Sequence, residues 1–215
     1  MNTREILMAG ARELGIALTS EQADTFFLYA AELTKWNRKI NLTSITDEQD
    51  VMVKHFLDSL AYLKGFAPAP GLRLLDMGSG AGFPAIPLKI ACPDLSITLV
   101  ESIKKKAAFL RHVIRTLPLD RAEVRDVRIE ELPDSLQKGY DVITARAFTD
   151  TRTAAAVGSP FLKPEGVMIL SRGSEEIVEE HLLDRLLVSV DNKIELTLPF
   201  SNYKRVIWVL KKKTS

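Results

Sequence analysis

Three glycines at alternate positions, Gly78, Gly80 and Gly82, follow an acid at Asp76, and a second acid, Glu101, stands at the end of the next apolar run. Glycine at such positions lets a backbone turn tightly and come close to a ligand. Leu72-Arg73-Leu74-Leu75 reads as a buried strand leading into this loop, and Phe83 to Ile90 reads as the helix leaving it. Pro84 and Pro87 fall in or near its first turn, where amide hydrogens lack intrahelical partners. A strand–glycine loop–helix unit of this kind offers backbone N–H groups to a nucleotide-like ligand, and its usual companion is an acid ending the next strand, where ribose hydroxyls can be gripped. Ser96-Ile97-Thr98-Leu99-Val100-Glu101 supplies that strand and that acid.

The pattern also separates ligands from one another. A dinucleotide fingerprint places its third glycine where this chain has Phe83. The order found instead, Asp-x-Gly-x-Gly-x-Gly, resembles motif I of the class I methyltransferases, which bind S-adenosyl-L-methionine (AdoMet). A carboxylate at Asp76 suits a ligand carrying an ammonium and a sulfonium; it would repel a pyrophosphate.

The elements that must position these residues can be read from periodicity. Capping-box spacing at Thr19–Gln22 and at Thr46–Gln49 predicts two helix starts. Phe26, Tyr29, Leu33, Trp36 and Ile40 then recur at helical spacing, as do Val53, Phe56, Leu57, Leu60 and Leu63. Both stripes are expected to pack on a core. Pro68-Ala69-Pro70-Gly71 is a linker, which divides the chain into a helical N-terminal cap over 1–67 and a ligand-binding domain over 71–215, expected to form one compact unit. Strands are predicted at 72–77, 96–101, 122–126, 140–146 and 166–171, with helices between them and a further helix over 175–189. Ile194–Leu198 and Arg205–Leu210 are separated by too short a loop for a crossover helix, so the last two strands form an antiparallel hairpin. The expected fold is α/β: a Rossmann-like sheet resembling the seven-stranded class I methyltransferase sheet, with a C-terminal antiparallel hairpin and an N-terminal helical extension.

The 215 residues suffice for one well-buried α/β domain with a modest appendage. With 29 basic against 28 acidic residues, global charge argues neither for nor against nucleic acid, and any RNA-binding face must come from local clusters. Three stand out: Lys104-Lys105-Lys106 with Arg111 and Arg115; Lys35, Arg38 and Lys39; and Lys204-Arg205 with Lys211-Lys212-Lys213. Arg172, ending a predicted strand, could also face an acceptor. A single cysteine, Cys92, excludes a disulfide framework and a cysteine metal cluster. No apolar signal core or membrane-length stretch occurs, so a cytoplasmic protein with no membrane partner is expected. No zipper or sticky strand argues against a monomer.

The acceptor is narrowed by missing tools. Amino-group methylases carry an Asn/Asp-Pro-Pro-aromatic loop after the fourth strand, where this chain has Thr144-Ala145-Arg146-Ala147-Phe148. Carbon-5 pyrimidine methylation needs a cysteine nucleophile, and Cys92 is misplaced for it. An acceptor that is already nucleophilic, such as guanine N7, needs only alignment.

Four segments in order make the resemblance specific: Trp36-Asn37-Arg38-Lys39-Ile40-Asn41-Leu42-Thr43-Ser44, His55-Phe56-Leu57-Asp58-Ser59, Leu75 through Pro84, and Arg146-Ala147-Phe148. Together they resemble the bacterial small-subunit rRNA methyltransferase G family, also called glucose-inhibited division protein B, over nearly the whole chain. The resemblance implies AdoMet-dependent methylation of N7 of one guanine in the decoding-region loop of 16S rRNA, with naked RNA, an assembly intermediate or the small ribosomal subunit as partner. It implies cofactor contacts at Gly78 and Phe83, at Ile129 and Glu130 beside the adenine, and at Arg146 on the boundary between cofactor and RNA. Asp76, Gly80 and Glu101 complete the expected cofactor site; no catalytic base and no metal are expected. Ala85 departs from a glycine often present in the family. His55 and Asp58, three residues apart, share a helix face, where they either bridge the N-terminal helices to the site or, at least as readily, make a purely structural hydrogen bond. A small-molecule methyltransferase and a non-catalytic AdoMet-binding module remain as alternatives, with a nicotinamide oxidoreductase last.

Overall fold

The computed structural model describes residues 1–146, 150–172, 183 and 185–213. Seven strands form one sheet: β1 (Arg73–Met77), β2 (Ser96–Val100), β3 (Ala122–Arg125), β4 (Tyr140–Arg146), β5 (Leu162–Arg172), β6 (Val188–Thr197) and β7 (Lys204–Lys212). Their order is β3-β2-β1-β4-β5-β7-β6. The first five are parallel, whereas β7 runs antiparallel between β5 and β6. Strand order reverses at β1, so the carboxyl ends of β1, β2 and β4 border the crevice where such sheets collect ligands.

The helices are α1 (Thr3–Glu13), α2 (Ser20–Ile40), α3 (Glu48–Asp50), α4 (Asp58–Leu60), α5 (Ala85–Ala91), α6 (Lys104–Thr116) and α7 (Thr151–Gly158). Thr19 and Gln22 form the predicted reciprocal capping box of α2. The second predicted box does not form. Asp47, not Thr46, caps α3, its carboxylate accepting from the Asp50 N–H, because an ionised oxygen competes better for that donor than a hydroxyl. Between α3 and α4 the helix widens into a π-helical stretch, Val51–Leu57. The helix after the glycine loop starts at Ala85 rather than Phe83, with Pro84 as its N-cap residue after a cis Phe83–Pro84 bond. Strand β5 is longer than its apolar run because the parallel partner β4 continues the ladder. Most of the predicted helix over 175–189 lies outside the described residues, as do Ala147 and Phe148; its last part is a turn, 185–187, entering β6.

The two apolar stripes end where periodicity puts them. Phe26, Tyr29, Leu33, Phe56, Leu57 and Leu60 are fully buried. They share one core with Leu74, Ile97, Ile169 and Ile207 of the sheet, while Trp36, Ile40 and Leu63 pack on it half-buried. Burial of this extent contributes roughly 1.5–3 kcal/mol per large side chain. The opposite sheet face is covered by α7 and the segment from Ile129, packed on Leu75, Met77, Ile143 and Leu170. No helix among the described residues is long and apolar enough to cross a membrane.

Candidate functional site

The glycine loop leaves β1 with Gly78, Gly80 and Gly82 at φ of 67°, 57° and 95°. A side chain is tolerated least at Gly82, where an added Cβ would lie 2.4 Å from Ile86 Cδ1 and 2.8 Å from the Tyr29 hydroxyl. That hydroxyl donates to the Ala81 carbonyl, so α2 grips the loop from behind. The front is held by Glu101, whose Oε2 accepts from Gly80 N–H and Oε1 from Ile103 N–H, both at 2.8 Å. Glu101 is therefore buried as a brace between the loop and the end of β2, with spare lone pairs on each oxygen. Beside it a cleft of about 180 Å³ is lined by Gly78, Ser102, Val127, Arg128, Ile129 and Glu130 among others. Five expected site residues, Gly78, Gly80, Glu101, Ile129 and Glu130, thus meet at the carboxyl ends of β1, β2 and β3.

Asp76 sits at the other side of the loop and is wholly buried. Its Oδ1 accepts from the Thr144 hydroxyl at 2.8 Å, and its Oδ2 has no hydrogen-bond partner among the described residues. Burial raises its pKa to about 7, opposed by the nearby Ser79 and Thr144 hydroxyls and by the Arg146 charge. A buried carboxylate oxygen without a donor is expensive unless something cationic completes it.

A second cluster stands across Phe83. The His55 ring stacks on Phe83 with centroids 4.4 Å apart, and the Arg146 guanidinium lies 5.4 Å from the Phe83 centroid. Arg146 Nη2 donates to the Lys54 carbonyl at 2.8 Å, lies 3.2 Å from His55 Nδ1 and pairs with Asp58 at 3.4 Å. Its Nη1 is buried and has no partner among the described residues. The π-helical stretch makes the first of these bonds available. Asp58 N–H donates to Val53 and His55 carbonyls, skipping the Lys54 carbonyl that an α-helix would have used. Because a guanidinium only donates, His55 Nδ1 must accept, which leaves Nε2–H to donate to Thr43 Oγ1 at 2.8 Å. Burial and the Arg146 charge lower the His55 pKa to about 3, so the ring is neutral at ordinary pH. Asp58 is shared: its other oxygen binds Arg205 Nε of β7 at 2.8 Å.

The expected residues thus fall into two groups, Gly78, Gly80, Glu101, Ile129 and Glu130 around the cleft, and Asp76, Phe83 and Arg146 on the other side of the loop. Thr144, Thr43, Tyr29 and Arg205 are not expected in the site from sequence: Tyr29 reads as core, Arg205 as part of a basic cluster, and the two threonines only as parts of longer motifs. The basic clusters diverge. Lys104 and Lys105 are exposed, but Lys211 pairs with Glu165 and Lys212 donates to the Ser159 and Leu162 carbonyls. Cys92 is half-buried, and burial pushes its thiol up to about 11.

Sheet order, glycine loop and hairpin together define a Rossmann-like methyltransferase fold. Its similarity to solved structures agrees: a SAM-dependent methyltransferase from Aquifex aeolicus superposes with a TM-score of 0.60 at 16% identity, covering 79% of this chain and 96% of that one. The [4+2]-cyclase SpnF superposes at 0.62 and 14% identity, covering 93% and 98%, so the fold alone does not fix a reaction. Sequence does more. The rRNA small subunit methyltransferase G family matches residues 22–207. Proteins named ribosomal RNA small subunit methyltransferase G are 44% identical over 213 residues in Geotalea uraniireducens, covering 97% of this chain and 96% of the relative, and 40% identical over 214 residues in Geobacter metallireducens, covering 98% and 96%. This chain belongs to the rRNA small subunit methyltransferase G family and is a methyltransferase.

Proposed function

We propose that this enzyme transfers a methyl group from AdoMet to N7 of a guanine in the decoding-region loop of 16S rRNA, acting as a cytoplasmic monomer whose cap (1–67) and sheet domain (71–215) work as one unit. The observation that carries this reading is the match of the family across nearly the full chain, helical extension included. The residues present fit AdoMet. The unpartnered Asp76 Oδ2 suits a cationic group, and the unpartnered Arg146 Nη1 a carboxylate. In this reading Gly78 and Gly80 bring backbone close to the ligand, Glu101 fixes the loop and reads the ribose, and Ile129 with Glu130 borders the adenine. AdoMet supplies an electrophilic methyl group when bound.

Guanine N7 carries an in-plane lone pair and no proton, so no base is needed and alignment with exclusion of water carries the reaction. The site agrees with that requirement: His55 has both ring nitrogens engaged and is held neutral by its surroundings. It orients Arg146 instead of moving a proton.

The test is transfer of a labelled methyl group from AdoMet to small ribosomal subunits lacking their natural modifications, with the base mapped by chain cleavage specific for N7-methylguanine. Label at a single decoding-loop guanine is the expected result. No label in the subunit or its free RNA, despite measured AdoMet binding, would overturn the reading and point to a small-molecule acceptor.

A further inference from the structure

The loop joining β6 to β7 lies on the same edge as the site. Val206 and Ile207 of β7 pair with Arg172 and Ser171 at the end of β5, and Ser171 pairs with Arg146 at the end of β4. This loop exposes two aromatic rings, Phe200 at 48% and Tyr203 at 44%, while the other aromatic side chains of the described residues are buried or half-buried. Phe200 has φ of 59°, a left-handed conformation in which glycine or asparagine would serve the turn better than a bulky ring. Local structure therefore gives no reason for a phenylalanine there.

Cations flank the Tyr203 ring, and the Asp50 carboxylate lines the same cleft. Lys54 Nζ lies 4.7 Å from the Tyr203 ring centroid and also pairs with Asp50, and the Arg205 guanidinium lies 5.9 Å from the same ring. Lys204 is exposed next to it. A cleft of about 400 Å³ opens between this loop and the helix, lined by Phe200, Ser201, Asn202, Tyr203, Gln49 and Lys54 among others. Two routes tie it to the site. The Lys54 carbonyl accepts from Arg146, and Asp58 holds both Arg146 and Arg205. Aromatic faces interleaved with cations are how proteins hold unstacked bases and their phosphates; a protein-docking patch would favour a continuous apolar field.

We propose that Phe200 and Tyr203 form a stacking platform for an unpaired base of the substrate RNA neighbouring the methylated guanine, with Lys54 and Lys204 along its phosphates. The inference rests on the RNA reading above and adds to it a surface. Alanine at Phe200 or Tyr203 is expected to raise KM for the small subunit or its RNA roughly 5- to 150-fold per lost stack, with AdoMet binding unchanged. Tyr203→Phe keeps the stack and should restore KM. Phe200→Gly should hold or raise the melting temperature while weakening RNA binding, a divergence that a structural role would not produce.

A short single-stranded RNA carrying 2-aminopurine provides the second readout, because stacking quenches its fluorescence. Quenching by the wild type that is lost in the alanine variants supports the platform, even if no methyl transfer to the subunit is found, in which case only the functional reading fails. Methyl transfer by the wild type with unaltered RNA KM and unaltered quenching in the variants overturns the platform and leaves the functional reading standing. A change in self-association of Phe200→Ala during sedimentation, with RNA binding intact, would also overturn it by assigning the face to a second copy of the chain.

Discussion

The two sides of the glycine loop are built by different means. On the cleft side the work is done by backbone: positive-φ glycines, main-chain amides and one carboxylate that accepts from two of them. On the Phe83 side it is done by side chains brought from the helical extension, β1, β4 and β7, namely His55, Asp58, Asp76, Thr144, Arg146 and Arg205. On the first side both oxygens of the buried Glu101 already accept from main-chain amides. The second keeps two buried atoms of opposite charge without partners among the described residues, Asp76 Oδ2 and Arg146 Nη1. A region that must be a rigid cradle can be written in a short stretch of chain; one that must present uncompensated charge needs neighbours from far away to hold it.

The largest effect should come from breaking the backbone side. Gly82→Ala sets a Cβ against Ile86 and the Tyr29 hydroxyl at a φ unsuited to alanine. Left-handed strain and overpacking together should cost about 4 kcal/mol, read as a lower denaturation midpoint and lost AdoMet binding by calorimetry. Next comes the side-chain side. Asp58→Ala strands Arg146 and Arg205 around a buried position and should destabilise by about 3 kcal/mol. Asp58→Asn should lose less, since it retains an acceptor for Arg205. If Asp58→Ala leaves both stability and AdoMet affinity intact, the cluster is not a unit and the contrast drawn above fails.

This contrast also explains what the sequence revealed. The Asp76-to-Gly82 loop and Glu101 are legible because local rules demand those residues at that spacing, and the parallel order with its closing hairpin follows from strand, helix and loop lengths. Thr144 as the partner of Asp76, or Arg205 as the partner of Asp58, is not legible, since 68 and 147 residues separate the pairs and only the folded sheet joins them. The misplaced cap at Thr46 has a smaller cause: two adjacent capping residues competed, and the stronger acceptor, Asp47, won.

The uncompensated charge on the second side gives a pH test. The Asp76 carboxyl has a pKa of about 7 in the fold against 3.8 as its ordinary value, raised first by burial. A raised acid pKa means that the folded state holds its proton longer than the unfolded chain. Its contribution is therefore fully present below about pH 4 and lost as pH rises to about 7. Asp76→Asn should remove that decline, so the variant gains stability relative to wild type towards neutral pH. For a ligand cation completing Oδ2 the sign reverses. AdoMet affinity should rise with pH by up to tenfold per unit below about pH 7 and then level off, and Asp76→Asn should flatten the profile. Affinity independent of pH in the wild type would show that Asp76 does not face the cationic end.

The smallest effect distinguishes basic residues that remain available for RNA from those already used by the fold. Lys105, exposed in the first turn of α6, is free to meet a phosphate, whereas Lys212 is tied to the carbonyls of Ser159 and Leu162. Lys105→Ala should lower the slope of log affinity for small-subunit RNA against log salt by about one while leaving the melting temperature within experimental scatter. Lys212→Ala should do the opposite, lowering stability by about 1–2 kcal/mol through two lost hydrogen bonds to a charged donor, with the salt slope unchanged. Equal salt slopes for Lys105→Ala and wild type would remove α6 from the RNA-binding face and leave the β6–β7 loop side of the site to hold the substrate.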